Sequence, residues 1–482
     1  MAQSVKLNFF YNILLNISKV LFPLITAPYV ARVLEPDGIG LFNFANTYAN
    51  YFVLFAVLGI PLYAIREIAK MRDDLKAQER FVSEIMSLSL CTTVICSLLF
   101  IGSVFLVPQL YQNYAIFLIS GLMLYLTPVT IEWFYSGREE FGYITFRALL
   151  LRVISIIFLF LLVKTKDDLL VYVGLNAVMG VVNIAWNYIK MLQLGVRPRF
   201  TWHFKQHIKP LLLLFSANIA VSIYTMLDTL MLGFMTNYDE VGYYNSAINI
   251  TRNLLPVATS LSAVAMPRLA YYMKQGDWEQ INVFMDKSLS VVSFLCFPIA
   301  FGVMAIAPTF VPLFYGDMFY GAILPLQIAI GVVIAIGLSN LLGMQTLLSL
   351  GYEKLFLYSL LVGTFSNFLT NLIVIPKFGA SGAAAASVFA ETLITLVMFY
   401  FVYKYTQVRF HRFREVIISA FVALGFFPLF YLMQFGLEGW PLVVAFILGG
   451  SLYYIGIQYL VKNSSVMIFV NLVKNKISKK KD

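Results

Sequence analysis

Apolar residues run along this chain in long unbroken stretches, separated by short polar connectors. Fourteen such stretches fall near residues 8–33, 39–65, 81–107, 113–134, 143–163, 168–191, 208–235, 240–265, 284–311, 319–348, 355–375, 379–403, 414–434 and 440–461. A hydrocarbon core of about 30 Å is crossed by roughly 20 apolar residues rising ~1.5 Å each, so every stretch is long enough to span. Membrane barrels alternate apolar and polar positions instead, which these runs do not. The expected fold is an all-α polytopic membrane protein of 14 transmembrane helices, with connectors too short for a soluble catalytic domain.

The few polar positions inside the stretches are themselves periodic. In span 1, Asn12, Asn16, Lys19, Pro23 and Thr26 step by four, three, four and three. In span 8, Asn245, Asn249, Arg252, Pro256 and Thr259 repeat that stepping. Such spacing places each set on one helical face. Asn43, Asn46 or Thr47, and Asn50 make a similar stripe in span 2. Polar faces are untenable against lipid, so they predict a water-accessible inner cavity.

The stepping is part of a wider internal repeat. Asp37-Gly38-Ile39-Gly40-Leu41-Phe42-Asn43-Phe44-Ala45 returns 202 residues later as Asp239-Glu240-Val241-Gly242-Tyr243-Tyr244-Asn245-Ser246-Ala247, with Asp, Gly, Asn and Ala coinciding. The same offset pairs Asn16 with Asn218 and sets Thr26 opposite Asp228. This predicts a lobe over 1–200 (spans 1–6), a second over 201–404 (spans 7–12) in the same orientation, and an appended pair with a basic tail over 405–482. Parallel repeats of this kind are a transporter architecture. The small-residue run Gly379-Ala380-Ser381-Gly382-Ala383-Ala384-Ala385-Ala386-Ser387 opening span 12 reads as a close-packing face.

Composition sharpens the class. Hydrophobic residues make up 60% of the chain and charged residues 12%, with a mean hydropathy of +0.81, outside the soluble range. The net charge of +10 does not point to nucleic acid, because the cations are distributed asymmetrically. With a cytoplasmic N-terminus, the inner connectors hold Arg66 to Arg80, Arg138, Arg147, Lys190 to Lys209, Arg268, Lys274, Lys287, Lys354 and Lys404 to Arg414. The outer connectors hold Arg32, Lys164, Lys166 and Lys377. This is the positive-inside pattern, with both termini cytoplasmic in a bacterial cytoplasmic membrane and Lys479-Lys480-Lys481 as an anchor near anionic lipid. Lys6 precedes the first apolar run, and Pro28 after Ala27 disfavours cleavage there, so span 1 reads as an uncleaved helix. Cys91, Cys96 and Cys296 all lie inside spans and read as small buried hydrophobes.

Ionisable residues inside spans are candidate functional groups by default. Lys19 lies deep in span 1 and Arg252 near the middle of span 8, too central to snorkel, so Arg252 requires an anion. For Arg152 in span 5, snorkelling to the interface and facing the cavity both fit. Arg32, near the outer end of span 1, also fits an interface anchor paired with Glu35 or Asp37. Cations with the amides of Asn16, Asn50 and Asn249 suit a phosphate- or diphosphate-bearing substrate, for which arginine offers a planar fork. Asp228, Glu391 and Glu132 are candidates for H+ or Na+ coupling, or partners for an arginine. The prolines at 23, 61, 128, 256 and 298 allow bending or fix static kinks. His203, His207 and His411 lack metal-ligand spacing, no phosphate-binding loop is present, and no cofactor or enzymatic activity is expected.

A family resemblance follows from particular runs. Tyr29-Val-Ala-Arg-Val-Leu-Glu-Pro-Asp-Gly-Ile-Gly-Leu-Phe-Asn-Phe-Ala45, Leu58-Gly-Ile-Pro61 with Arg66-Glu67-Ile68-Ala69, and Ile375-Pro-Lys-Phe-Gly-Ala-Ser-Gly-Ala-Ala384 resemble Wzx-type polysaccharide flippases. These belong to the multidrug/oligosaccharidyl-lipid/polysaccharide exporter superfamily. The resemblance implies two bundles in a V around a cavity that opens alternately to each side, with an undecaprenyl-diphosphate-linked oligosaccharide as cargo. It implies cavity cations on helices 1, 2 and 8, where Lys19, Arg32 and Arg252 occupy comparable places and Asn50 departs. It further implies a lipid-tail groove on helices 13 and 14, and polymerases or glycosyltransferases of the same pathway as partners. A peptidoglycan-precursor flippase is the near alternative. A cation-coupled drug exporter would want acids facing the cavity, and a membrane polymerase or acyltransferase a larger outer loop.

Overall fold

The computed structural model describes residues 5–467; the side chains of Lys6 and Asn218 and the 479–481 lysine tail lie outside the described residues. Among the described residues every regular element is helical. Nine helices among the described residues are long and apolar enough to cross a membrane, and two shorter apolar helices, Tyr114–Val129 and Thr225–Met235, join them.

Predicted spans 1 and 2 share one helix, Val5–Val57, and spans 11 and 12 share another, Glu353–Tyr405. Each helix is interrupted at a single residue, Glu35 (φ 57°, ψ 175°) and Gly379 (φ 50°, ψ −129°). At the first break, the ring of Pro36 clashes with the helical conformation of the residue before it. Glu35 takes a conformation that side chains disfavour, at a cost of about 1–3 kcal/mol. At the second break, glycine adopts the positive φ without that penalty.

By packing, the chain forms two compact units, Met1–Gly242 and Tyr243–Asp482. The division falls in the second Asp/Gly motif. The reason is that the Lys205–Met235 helix packs on the first helix: the Phe55 and Phe215 rings lie 5.8 Å apart, and Phe44 and Phe234 meet edge-on at 5.1 Å.

Within the first unit the matched glycines of the repeat meet. A Cβ on Gly40 would sit 1.7 Å from the Tyr238 carbonyl oxygen and 2.9 Å from the Gly242 nitrogen. A Cβ on Gly242 would sit 2.2 Å from the Pro36 carbonyl oxygen. Only residues without a side chain permit this backbone approach. The core at the basic end of the unit gathers Tyr63, Phe81, Ile85, Trp133, Phe134 and Phe204.

In the second unit, Met285, Leu289, Leu342, Ile394, Met398 and Val408 share one core. The Phe413–Met433 and Gly439–Leu460 helices pack on the Trp278–Tyr315 helix through Ile306, Phe426, Phe430 and Phe446. The Tyr454 hydroxyl donates to the Phe294 carbonyl oxygen at 3.1 Å.

One docking arrangement occurs in both units. In the first, the backbone N–H groups of Arg199 and Thr201 donate to Ser83 Oγ and Ser87 Oγ at 3.0 and 2.9 Å. In the second, the N–H groups of Arg409 and His411 donate to Asn282 Oδ1 and Asp286 Oδ1, both at 2.8 Å. Each time the acceptors are four apart on one helical face and the donors two apart on the connector. Val196 and Val408, three and one residues before the first donor, are buried beside it. A histidine closes each dock. His207 Nε2 lies 2.8 Å from Glu84 Oε2 with its Nδ1 2.8 Å from the Tyr63 hydroxyl, and His411 Nδ1 lies 3.4 Å from Asp286 Oδ2.

The glycine contact gives a sign test. Gly40→Ala should lower the thermal midpoint of the purified protein, at about 1–3 kcal/mol for overpacking. Gly174→Ala, where nothing lies within 4 Å of the added Cβ, should raise it slightly, because alanine is the better helix former by up to ~1 kcal/mol. Equal shifts from the two changes would refute the close contact.

Candidate functional site

The span 1 stripe lies open on the first unit. Asn12, Asn16, Lys19 and Pro23 are exposed, while Ser18 on the flank is buried. Asn16 Nδ2 donates to Asn12 Oδ1 at 2.9 Å, so one amide orients the other one turn away. Arg152, half-buried on the Phe141–Leu162 helix, donates through Nη1 to Ser18 Oγ, and its guanidinium lies 5.7 Å from the centre of the Phe22 ring. Arg152 therefore ties the two helices together beside the stripe rather than extending along its own helix. Arg32 is exposed and donates to the Pro28 carbonyl oxygen at 3.2 Å. Asn50 is exposed beyond the break in the same helix.

In the second unit the span 8 stripe divides. Asn249, Arg252 and Pro256 are exposed, whereas Asn245 is buried with Ala247, Ile248 and Thr251. Each unit thus presents one face that combines a cation with an amide. Exposed cations within an apolar helix require water or protein rather than hydrocarbon around them. Such a face can take a phosphate on the cation and a hydroxyl-rich group on the amide.

The candidate acids fall into two settings. Asp228 and Glu391 are buried. The Asp228 carboxylate is close enough to Tyr51 to act on it electrostatically, and Thr395 Oγ donates to the Glu391 carbonyl oxygen at 2.8 Å. Glu132 is half exposed and accepts from Arg147 Nη2 at 2.6 Å, while the Arg147 side chain is 0% exposed. The Arg147 guanidinium also lies 5.2 Å from the Tyr143 ring centre. Sequence assigned Arg147 to the topological cations of a connector; the fold buries it and makes Glu132 its counter-ion. Glu132, with Pro61, Thr127, Pro128, Thr130 and Ser136, lines a cavity of about 280 Å³. Two of the span prolines, Pro61 and Pro128, are on its wall. Among the described residues no group of three or more His, Cys, Asp or Glu could hold a metal ion.

Two buried amides went unnoticed in the sequence. Asn371 Nδ2 donates to Asn367 Oδ1 at 3.1 Å, and both residues are 0% exposed. Their spacing of four inside an apolar run is the same signal as Asn12 and Asn16, so the stepping rule applied to span 11 would have found them.

At the basic end of the first unit, Glu140 accepts from Arg138 Nε at 2.8 Å and Lys190 Nζ at 2.9 Å, and Lys190 Nζ lies 3.3 Å from the Tyr143 ring centre. Burial raises the Glu140 carboxyl, but those two cations outweigh it and hold it below the usual carboxylate range.

Two measurements test these placements. A carboxyl held low stabilises the fold above the ordinary carboxylate range, and that stabilisation fades as pH falls through the lowered value. The thermal midpoint gap between wild type and Glu140→Gln should therefore be largest near neutral pH and close on acidification; a constant gap would refute the assignment. Glu132→Gln should cost on the order of 2–3 kcal/mol by leaving a buried charged donor unmatched. The double change Glu132→Gln with Arg147→Met should recover part of that loss, and strict additivity of the two changes would refute the pair.

Comparison with known proteins adds a family to this geometry. Residues 5–273 match the family described as "Polysaccharide biosynthesis protein". An Escherichia coli (strain K12) relative named "Putative O-antigen transporter" is 25% identical over 413 residues, covering 83% of this chain and 97% of that relative. A Haloferax volcanii relative named "Probable low-salt glycan biosynthesis flippase Agl15" is 22% identical over 297 residues, covering 61% of this chain and 56% of its own. Among solved structures, the lipid II flippase MurJ in an inward closed conformation superposes with a TM-score of 0.75 at 15% identity, over 96% of this chain and 100% of that one. That likeness establishes the fold alone.

Proposed function

The chain belongs to the polysaccharide biosynthesis protein family, and from that premise we propose that it is a flippase. Its cargo is an oligosaccharide repeat unit linked to a polyprenyl diphosphate, moved across the cytoplasmic membrane for surface polysaccharide assembly. The observation that carries this reading is the exposed pairing of cation and amide on a membrane helix of each unit: Lys19 with Asn12 and Asn16, and Arg252 with Asn249. A diphosphate needs cations that neutralise it inside an apolar protein, and a sugar needs amides that both donate and accept. A drug or cation exporter would need acids on those faces, and the two most central acids are buried. A lipid II flippase shares the fold, but the relatives matched along the sequence carry O-antigen and glycan names.

Transport by alternating access fits a chain whose sequence holds no nucleotide-binding loop. Asp228 and Glu391 are the acids that proton or sodium coupling would use. The basic helix ends and both termini face the cytoplasm by the positive-inside pattern. The last two helices, with Phe421, Leu432 and Leu452 exposed, offer an apolar surface for the polyprenyl tail. Polymerases and glycosyltransferases of the same pathway are the expected neighbours.

Arg252→Gln should leave the protein inserted in the membrane and abolish surface glycan, with lipid-linked repeat units accumulating inside. Arg252→Lys should retain partial export, because an ammonium keeps the charge and loses the fork. Normal surface glycan in Arg252→Gln would overturn the assignment of this face to the cargo.

A further inference from the structure

Several cations of the inner connectors are paired with carboxylates. Arg66 and Lys70 pair with Glu67, Arg72 with Glu139, Arg80 with Glu84, Arg138 and Lys190 with Glu140, and Arg412 with Glu415. In the second unit Arg268 and Lys287 line one pocket of about 200 Å³, and among the described residues neither forms an ion pair. Asp286, the acid next to Lys287, is already engaged by the backbone N–H and imidazole of His411.

The pocket is a groove between two helical faces. Arg268 and Tyr272 stand four apart near the end of the Tyr238–Gln275 helix. Gln280, Phe284, Lys287 and Val291 step by four, three and four along the Trp278–Tyr315 helix, so all four share one face. Along that face Gln280 lies in the first turn, Val283 and Phe284 one turn on, Lys287 and Ser288 a further turn on, and Val291 beyond them. Cations interleaved with apolar side chains in one groove match a phosphate carrying acyl chains better than a free inorganic ion.

We propose that this groove is a binding site for the phosphate headgroup of an anionic phospholipid. The polyprenyl-diphosphate cargo carries the same phosphate chemistry. In the orientation given by the positive-inside pattern, however, the groove opens at the cytoplasmic leaflet, where anionic phospholipid is always present and basic pockets between helices bind its headgroups. Arg268 supplies the planar fork, Lys287 a second point charge, and Tyr272, Gln280 and Ser288 the neutral hydrogen bonds to the remaining oxygens. The site stands on its own geometry and is independent of the cargo reading.

The test uses the full-length protein in detergent, with lipid retention read by native mass spectrometry and by the thermal midpoint. Phosphatidylglycerol, phosphatidylcholine and sugar-free undecaprenyl diphosphate are the three probes. Wild type should retain phosphatidylglycerol over phosphatidylcholine and gain thermal stability from it, more at low salt than at high. At the strength typical of one basic residue near an anionic surface, R268Q/K287Q should retain phosphatidylglycerol about thirtyfold less well. K287R, which keeps the charge, should behave as wild type and guards against a folding defect in the double variant. Equal retention of phosphatidylglycerol by wild type and R268Q/K287Q would overturn the site. Retention of undecaprenyl diphosphate with no preference for phosphatidylglycerol would overturn it too, by giving the groove to the cargo; surface glycan measured on the same variants separates that result from failure of the flippase reading.

Discussion

Two backbones touching at Gly40 and Gly242 form the contact on which the first unit is organised. A side chain at either place would overlap a carbonyl oxygen of the facing segment, so the helices approach only because two side chains are missing. In hydrocarbon, helices gain little from burying apolar surface against one another, since lipid is equally apolar; close backbone packing has to do that work. The consequences run in both directions along the chain. Gly40 lies just past the break at Glu35 and Pro36, so the contact fixes where the first helix resumes after its turn. Gly242 opens the helix whose later turns carry Asn249 and Arg252. The glycine pair thus sets the starting point of both segments that follow it.

Charge inside the membrane region is handled in two ways, and the difference separates structure from function. Arg147 is enclosed and answered by Glu132, and Arg152 is held to Ser18. His207 sits between Glu84 and Tyr63 with both ring nitrogens engaged. These groups are fixed by neighbours within a few ångströms and brace helices against one another. Lys19, Asn249 and Arg252 are exposed on their units, where an ionised group is costly unless something polar surrounds it. An ionisable residue within a span is therefore ambiguous until its surroundings are known. Enclosure by protein acceptors marks a brace.

Much of the fold could be read from periodicity. Long apolar runs gave the helices, because a bilayer fixes their length, and the four-and-three stepping of Asn12, Asn16 and Lys19 placed them on one exposed face. What escaped were features set by partners distant in sequence. Spans 1 and 2 merge into one broken helix, and Pro36 disfavours the helical conformation at Glu35 beside it, a local cue that hydropathy does not register. Arg147 looked like a connector cation because its burial depends on Tyr143 and Glu132 folding around it. The role of Ser18 as acceptor for Arg152, 134 residues away, has no sequence signature at all. Asn367 and Asn371 were legible by the rule that found Asn12 and Asn16, and were overlooked in an otherwise apolar run.

The paired docks explain why the internal repeat is so thin in sequence. Ser83 and Ser87 accept the connector in one unit, and Asn282 and Asp286 accept it in the other. The acceptors share no residue type, yet they are four apart in both, the donors two apart, and a histidine with a neighbouring acid closes each. The backbone N–H is the same donor whatever residue carries it, and any side-chain oxygen at the right height on the helix satisfies it. Lipid-facing positions are freer still, since one apolar residue replaces another at little cost. A position that must have no side chain, as at Gly40 and Gly242, holds its residue type across the repeat. The repeat is therefore carried by spacing, and its few sequence identities mark the places where spacing alone was not enough.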